Sequence, residues 1–285
     1  MESRTWKDRL KPIARWVVNS RLYGYWSDSQ GDWRYLYMPF TWWLAKVLVP
    51  RRTVKIGSSR LNLPCDNSIT HFRWYLYNKK EQEVSKYIDK YVKEGDTLFD
   101  IGANIGVFTL YTAISKNNVN IYSFEPEYSN LHYLKENIIA NKLTEKVNLF
   151  SVAVSDKDQL SSLHIQDVTP GAAVHTESVN DISTTDEGYK VVWKEGIATS
   201  TVDSLSKHIG VVPNCMKIDT DGNEPKILRG AKKTLTDPQL RSIVIEMPMD
   251  ETANQVCIDL LTDAGMKVVW SAEYTRNQVW EKYTV

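Results

Sequence analysis

The chain has 285 residues, of which 42% are hydrophobic and 25% are charged. This composition excludes disordered and fibrous proteins, and the length suits one large α/β domain with an appendage. The formal net charge is zero, but residues 1–56 carry eleven Lys/Arg against four Asp/Glu. The three cysteines, Cys65, Cys215 and Cys257, are too widely spaced for a disulfide framework or a zinc site, so a reducing cytoplasm is the predicted compartment.

Residues 1–56 form a Trp-rich, basic N-terminal extension. Seven of the ten tryptophans lie in the first 80 residues, and Trp42-Trp43 is soon followed by Arg51-Arg52. Aromatic rings beside clustered cations are typical of segments that lie on a membrane surface, so a peripheral membrane contact is one interpretation. The other is that these aromatics pack against the following domain or against a second copy in a homo-oligomer. No run in the sequence reaches the ~18 apolar residues that a membrane span needs.

After this extension, residue spacing predicts alternating strands and helices. Period-two alternation predicts a hairpin over Thr53–Leu63, and helical spacing predicts a helix over Lys79–Val92. The further predicted strands are Thr97–Ile101, Asn120–Glu125, Val147–Val154, Cys215–Asp219, Ser242–Met247, Lys267–Ala272 and Gln278–Tyr283. The further predicted helices are Val107–Ser115, Ser129–Asn141, one beginning near Thr201, Glu224–Leu235 and Asn254–Ala264. The polar residues 160–200 predict short antiparallel strands and a mobile loop.

This succession predicts an α/β fold, a doubly wound and mostly parallel seven-stranded sheet with helices on both faces. The last two strands are expected to be antiparallel, which such sheets permit. We expect a domain over residues 57–285 with its functional motifs in residues 97–247, preceded by the appendage of residues 1–56.

A glycine loop follows the first strand of the predicted sheet. Its residues are Gly102, Ala103, Asn104, Ile105 and Gly106. Asp100 precedes the loop, and the next strand ends at Glu125, which can accept hydrogen bonds from both ribose hydroxyls. A diphosphate requires G-x-G-x-x-G, whereas this loop has G-x-x-x-G and an adjacent negative charge. The pattern therefore favours S-adenosylmethionine, a cationic nucleoside without phosphate, over a dinucleotide. A tight turn without a ligand is the alternative.

Polar residues also follow the other strands, where an open α/β sheet binds its ligands. Ser155 and Asp156 follow the third strand and are predicted to bind the cofactor, with Asp156 placed to meet the adenine amino group, although an Asp in a plain turn is the alternative. The fourth strand is followed by a dense polar segment that contains Lys217, Asp219, Asp221 and Glu224. Carboxylates this close raise one another's pKa unless they share a proton or a cation.

This segment predicts either a general base or half of a divalent metal site. Asp219, Asp221 and Glu246, at the end of the next strand, are hard oxygen ligands of the kind that Mg²⁺ takes. The alternative is that Asp221 and Glu224 only complement the dipole of the helix that begins there.

Four ordered motifs resemble those of the FkbM family of S-adenosylmethionine-dependent methyltransferases. They are Phe99-Asp100-Ile101-Gly102-Ala103-Asn104-Ile105-Gly106, Phe124-Glu125-Pro126 with Asn130, Thr201-Val202-Asp203-Ser204-Leu205, and Lys217-Ile218-Asp219-Thr220-Asp221-Gly222-Asn223-Glu224. Asp221 stands where the family more often has Glu, which shortens the reach of that carboxylate. The resemblance covers roughly residues 80–250 and does not include residues 1–56.

The resemblance implies a Rossmann-like methyltransferase that methylates a hydroxyl of a sugar, glycolipid, polysaccharide or polyketide-like compound. The implied cofactor is S-adenosylmethionine, bound by the glycine loop, Asp100, Glu125 and Asn130. The implied base is Asp219, with Asp221, Glu224 or Lys217 orienting the base or the substrate. Mg²⁺ is a further expectation, since related sugar methyltransferases use a metal.

Three other functions remain open. An NAD-dependent oxidoreductase or sugar epimerase is disfavoured by the absence of G-x-G-x-x-G. A non-catalytic relative is disfavoured by the intact acids at Asp100, Glu125, Asp219 and Glu224. A nitrogen acceptor is disfavoured by the absence of an Asn-Pro-Pro-Tyr motif. Nucleic acid is not a predicted partner, because the basic excess lies only in the N-terminal extension. His175 lies in a loop that could cover the site, although an exposed histidine without a role is the simpler interpretation.

Overall fold

The structure is a computed structural model that describes residues 50–76, 82–184 and 188–283, together with Leu44 and Leu48. The chain divides into two compact units, Met1–Pro50 and Arg51–Val285, and almost all described residues belong to the second. The appendage predicted over residues 1–56 falls largely outside the described residues, so its boundary and its membrane contact stay predictions. Among the described residues, no helix has the length and apolarity that crossing a bilayer requires.

The second unit is built on the predicted seven-stranded sheet. Its strands are β3 (Thr97–Ile101), β4 (Asn120–Phe124), β5 (Val147–Phe150), β10 (Cys215–Ile218), β11 (Ser242–Glu246), β12 (Met266–Ser271) and β13 (Asn277–Lys282). The spatial order is β12-β13-β11-β10-β3-β4-β5. The five strands from β11 to β5 run parallel, whereas β13 is antiparallel to β11 and β12 is antiparallel to β13. The predicted fold class is therefore confirmed.

Helices cover both faces of this sheet, because successive side chains of a strand point to opposite sides. The helices are α1 (Ser68–Leu76), α2 (Gln82–Tyr91), α3 (Val107–Ser115), α4 (Tyr128–Ala140), α5 (Val202–Ile209), α6 (Glu224–Arg229), α7 (Lys232–Thr236) and α8 (Glu251–Asp263). Leu98 of β3 joins a core cluster with α2, α3 and α4, and the adjacent Phe99 joins a second cluster with α5 to α8. The hairpin of β1 (Arg51–Ile56) and β2 (Ser59–Pro64), predicted from its alternation, contributes to the first cluster.

A second sheet lies between β5 and α5 in the chain. Its strands are β6 (Ala153–Val154), β7 (Gln159–Ile165), β8 (Thr176–Ser178) and β9 (Trp193–Ser200), in the order β6-β9-β7-β8. We call it the accessory sheet. The single strand predicted over Val147–Val154 is wrong: the chain leaves the main sheet after Phe150 and joins the accessory sheet at Ala153.

The helix predicted over Glu224–Leu235 is also interrupted. It divides into α6 and α7 around Gly230, where a Cβ atom would lie 2.3 Å from the Ser155 carbonyl oxygen. Close packing of two segments distant in the chain therefore accounts for the glycine at this interruption. Helix α1 was not predicted from the sequence.

Candidate active site

The glycine loop after β3 packs closely against the segment that follows β10. Gly102 has a φ of +75°, and a Cβ atom there would lie 1.9 Å from the Asp219 carbonyl oxygen. Gly106 has a φ of +92°, and its Cβ would lie 2.3 Å from the Leu134 side chain of α4. Both positions favour glycine for backbone conformation, and at Gly102 the nearby backbone oxygen also leaves no space for a side chain.

The amides of this loop are already engaged within the protein. The N–H groups of Gly102 and Ala103 both donate to the Phe124 carbonyl oxygen at 3.1 Å. The amide of Asn104 donates to Glu125 Oε2, that of Ile105 to the Asn104 side chain, and that of Gly106 to the Ala103 carbonyl oxygen. A diphosphate cradle needs such amides to point at the ligand. Their internal pairing therefore supports the prediction against a dinucleotide.

Glu125, at the end of β4, is buried beside this loop. Its Oε2 atom accepts the Asn104 amide at 2.7 Å, and its Oε1 atom accepts the Glu127 amide at 3.0 Å. Burial raises the pKa of Glu125 to about 7, although both amide bonds oppose the rise. Two fixed oxygens at a strand end give the geometry predicted for recognition of a ribose diol.

Lys217 and Asp100 form a buried ion pair beneath the loop. The Lys217 ammonium lies 3.3 Å from Asp100 Oδ1 and donates to the Gly102 carbonyl oxygen at 2.8 Å. Thr109 of α3 donates to Asp100 Oδ2 at 2.5 Å. Asp100 thus lies under the loop, where its contacts hold β3, β10 and α3 together. Its side chain does not line either of the cavities described below.

Asp219 is a second acidic neighbour of Lys217, and its Oδ2 atom lies 3.6 Å from the ammonium. Burial opposes the charge of Asp219, but the ammonium and a hydrogen bond with Glu246 lower its pKa. Burial and the adjacent Asp219 charge raise the pKa of Glu246 to about 9. Glu246 is therefore the weaker acid of the two and Asp219 the stronger. Arg276 Nη2 lies 3.0 Å from Glu246 Oε1 on the far side.

Asp221 and Glu224 differ in their surroundings. Asp221 has a φ of +56° and accepts the Val174 amide at 2.7 Å. Carboxylate oxygens of Asp219, Asp221 and Glu246 lie within 4.8 Å of one another. Glu224 is buried and accepts hydrogen bonds from the amides of Thr220 and Gly222 at 2.8 and 3.0 Å. Its contacts brace the turn that presents Asp219.

A loop from Gly171 to Val174 lies over these groups. Asn104 and Asn130 both donate to the Ala172 carbonyl oxygen, at 2.7 and 3.2 Å. Asn130 also accepts the Gly171 amide at 2.7 Å. Two predicted cofactor residues thus hold this loop, which we call the covering loop. Arg73 of α1 donates to the Gly171 carbonyl oxygen from the other side.

Two cavities meet at the carboxyl ends of the strands. The first, of about 80 Å³, is lined by residues of the glycine loop, the ends of β4 and β10, the accessory sheet and the covering loop, including Gly102, Glu125, Asp219, Asp221, His175 and Glu177. The second, of about 370 Å³, is lined by Asp221, Glu246, Met247, Met249, Asp250 and Arg276, among others. Asp221 is common to both. A ligand pocket typically holds roughly 300–1,000 Å³, so a nucleoside in the first cavity requires the covering loop to move.

Three predicted or suspected residues lie elsewhere than expected. Ser155 and Asp156 do not line the first cavity, and the Ser155 hydroxyl donates instead to Glu177 at 3.2 Å. His175, expected to be an exposed loop residue, lines the cavity, and both of its ring nitrogens are buried without a partner among the described residues. Burial lowers the pKa of His175 to about 4, so its ring is neutral at pH 7.

Sequence reasoning missed Glu177 and Arg276 as cavity residues. Glu177 reaches the first cavity from β8, and Arg276 reaches the second from just before β13. Each lies in or beside an antiparallel strand far along the chain from the carboxyl ends of the parallel strands. The rule that ligands bind at those ends could not find them. Only the pairing of β8 with β7 and of β13 with β11 brings them there.

Comparison with known proteins adds the family. A family model described as the methyltransferase FkbM domain matches residues 100–268, more than half of the chain. The chain belongs to the FkbM methyltransferase family. The match begins at the Asp100 that precedes the glycine loop and includes Asp219 and Glu246.

Two curated relatives carry the same activity class in their names. The chain is 24% identical over 196 residues to "31-O-demethyl-FK506 methyltransferase FkbM" of Streptomyces tacrolimicus, covering 62% of this chain and 75% of that protein. It is 26% identical over 171 residues to "Hexuronic acid methyltransferase AglP" of Haloferax volcanii, covering 60% of this chain and 64% of that protein. The match to the second relative thus leaves more than a third of that protein unaligned.

Solved structures resemble this chain more distantly. A SAM-dependent O-methyltransferase of Thermotoga maritima matches at 13% identity and a TM-score of 0.41, covering 85% of this chain and 82% of that one. Fibrillarin of Aeropyrum pernix, bound to S-adenosyl-L-methionine, matches at 10% identity and a TM-score of 0.46, covering 81% of each chain. At these values the likeness adds nothing on the reaction or the acceptor.

Proposed function

We propose that this FkbM-family methyltransferase transfers the methyl group of S-adenosylmethionine to a hydroxyl of a sugar, a glycan or a related natural product. The observation that carries the proposal is the pair of cavities that meet at Asp221, beside the Asp219–Glu246 pair. One cavity suits the nucleoside and the other suits the acceptor. A proton-accepting carboxylate lies where the two meet.

The cofactor binds in the first cavity. Glu125 accepts hydrogen bonds from the ribose hydroxyls. The glycine loop lets the ligand approach the protein backbone closely. The sulfonium lies toward Asp219 and Asp221, because these carboxylates line the first cavity and Asp221 also lines the second. Negative charge at this end attracts the sulfonium cation.

Methyl transfer is an in-line displacement. The acceptor oxygen attacks the methyl carbon from the second cavity as the carbon–sulfur bond breaks, and S-adenosylhomocysteine leaves with the sulfur electron pair. The hydroxyl proton passes to Asp219, whose lowered pKa keeps it charged and able to accept at neutral pH. Positioned general bases contribute roughly 10²–10⁴-fold to such a step. Lys217 acts through Asp219, which it holds in place.

The second cavity favours a polyhydroxylated acceptor. Its carboxyl groups can accept hydrogen bonds from several hydroxyls, and Met247 and Met249 supply apolar surface for the face of a ring. The names of the two relatives, a demethyl-FK506 methyltransferase and a hexuronic acid methyltransferase, support oxygen-bearing acceptors of this kind. The choice between a sugar and a polyketide-like acceptor is left to the acceptor screen.

A divalent cation is a second part of the proposal. Asp219, Asp221 and Glu246 offer the hard oxygen atoms that Mg²⁺ takes, and their separation lets one ion reach all three. Bound there, the ion would lower the pKa of an acceptor hydroxyl. Lys217 and Arg276 place positive charge beside two of these carboxylates, Lys217 at 3.6 Å from Asp219 and Arg276 at 3.0 Å from Glu246.

Calorimetry with S-adenosylhomocysteine, and with NAD as the control ligand, tests the cofactor. We expect heat only with S-adenosylhomocysteine, and weaker binding by Glu125→Ala. Glycan and natural-product acceptors are then screened for methyl transfer. In that assay Asp219→Asn is expected to lose about 10²–10⁴-fold in turnover while still binding S-adenosylhomocysteine. Asp259→Asn, on the exposed face of α8, is the control. NAD binding by folded protein, or full turnover by Asp219→Asn, would overturn the proposal.

A further inference from the structure

Glu177 is the carboxylate that the accessory sheet places in the wall of the first cavity. It belongs to β8, and its side chain is only 6% exposed. Leu163 lies opposite it in the β7–β8 register and lines the same cavity. Val152, Ala153 and Val154 add apolar surface to this wall.

Three side chains fix this carboxylate in place. Lys226 of α6 lies 2.9 Å from its Oε2 atom, and the Ser155 hydroxyl lies 3.2 Å from the same atom. The Ser161 hydroxyl of β7 donates to Oε1. Burial opposes the charge, but the Ser161 hydroxyl and the Lys226 ammonium lower the pKa of Glu177. A carboxylate accepts roughly four hydrogen bonds, so these three leave capacity for one donor from the cavity.

The position of Glu177 matches the base end of the ligand. With the ribose at Glu125 and the sulfonium toward Asp219, adenine extends along the apolar part of the cavity beyond β4 and β5. The sequence assigned the adenine amino group to Asp156, with Ser155 beside it as a predicted cofactor residue. Asp156 does not line the cavity, and the Ser155 hydroxyl is turned to Glu177.

We infer that Glu177 accepts a hydrogen bond from the 6-amino group of the cofactor's adenine and so selects an adenosyl over an inosyl cofactor. The inference rests on the proposed function, since it concerns the same cofactor. An adenine presents N–H donors at position 6, which an acceptor-only carboxylate matches. A hypoxanthine presents a carbonyl oxygen there, which the carboxylate repels. Lys226, Ser155 and Ser161 are positioning residues that keep the acceptor aimed at the base.

The test compares two ligands that differ at this position. Dissociation constants of S-adenosylhomocysteine and S-inosylhomocysteine are measured by calorimetry for wild type, Glu177→Gln and Glu177→Asp. Hydrogen bonds to charged groups support an expected wild-type preference of about 10- to 100-fold for the adenosyl ligand. Glu177→Gln should reduce this preference to a few-fold, because its amide can also donate to the 6-oxo group. Asp181→Asn is the control, since Asp181 is an exposed accessory-segment acid that also pairs with a lysine.

The outcomes separate the inference from the proposed function. Equal binding of both ligands by wild type, or an unchanged preference in Glu177→Gln, would overturn the inference while leaving the methyltransferase proposal intact. Failure of folded wild type to bind S-adenosylhomocysteine would overturn both. If Glu177→Gln does not fold, Glu177→Asp decides. Its shorter carboxylate should bind S-adenosylhomocysteine less tightly than wild type does, while still preferring it to S-inosylhomocysteine. An Asp variant identical to wild type for both ligands would contradict the role.

Discussion

Replacing Gly102 by alanine separates two effects that glycine satisfies at this position. The first is backbone strain, because Gly102 has a φ of +75°. The second is overlap, because a Cβ atom would lie 1.9 Å from the Asp219 carbonyl oxygen, a backbone atom that cannot rotate away. Gly265 has the same φ of +75° but has no atom within 4 Å of its Cβ position. Gly265→Ala is therefore the matched control.

The strain of an alanine at this φ is about 1–2 kcal/mol in either variant. Overpacking adds about 1–3 kcal/mol, and only to Gly102→Ala. Urea unfolding should therefore show a free energy of unfolding that is lower in Gly102→Ala than in Gly265→Ala by about 1–3 kcal/mol. The backbone movement that relieves this overlap would also displace the Gly102 carbonyl oxygen, which accepts a hydrogen bond from Lys217 at 2.8 Å. Gly102→Ala should therefore bind S-adenosylhomocysteine more weakly. Equal free energies of unfolding in the two variants would refute the close-approach argument.

Three further predictions concern Glu125, the acidic cluster and the covering loop. Burial raises the pKa of Glu125 from 4.5 to about 7, so the folded protein binds this proton more tightly than the unfolded chain does. Its contribution to stability is therefore lost as pH rises from about 4.5 to 7. Glu125→Gln has no such titration. In urea titrations, its free energy of unfolding relative to wild type should therefore rise by about 3 kcal/mol between pH 4.5 and 7. Parallel pH profiles for the two proteins would contradict this. Dialysis against a chelator should lower methyl transfer and Mg²⁺ should restore it, whereas unchanged turnover would remove the metal from the proposal. Asn130→Ala deletes two hydrogen bonds to the covering loop, each worth about 0.5–1.5 kcal/mol. Hydrogen exchange of the amides of residues 171–174 should therefore accelerate, with Asn180→Ala as the control. Unchanged exchange in Asn130→Ala would show that other contacts hold the loop.

The sequence by itself determined the main sheet and the position of the glycine loop. The ends of β3 and α3 were predicted to the residue, because Asp100 and Gly102 stop an apolar run and helical spacing resumes at Val107. Local patterns suffice there because β3, β10 and β11 are buried on both faces and bounded by polar residues. Glu125 and Asp219 followed from the same reasoning, since each lies directly after such a strand.

Only the tertiary structure decided how the site is enclosed. The switch from β5 to β6, the close approach at Gly230 and the covering loop all depend on contacts between segments far apart in the chain. Pairing of β8 with β7 brings Glu177 to the cavity. The hydrogen bond from the Thr220 amide to Glu224 shows that Glu224 stabilises the turn after β10. Residue spacing reports which side chains share a face within one element. Residue spacing does not report which distant element will lie against that face. The part of the cavity wall that the accessory sheet contributes could therefore be found only from the tertiary structure.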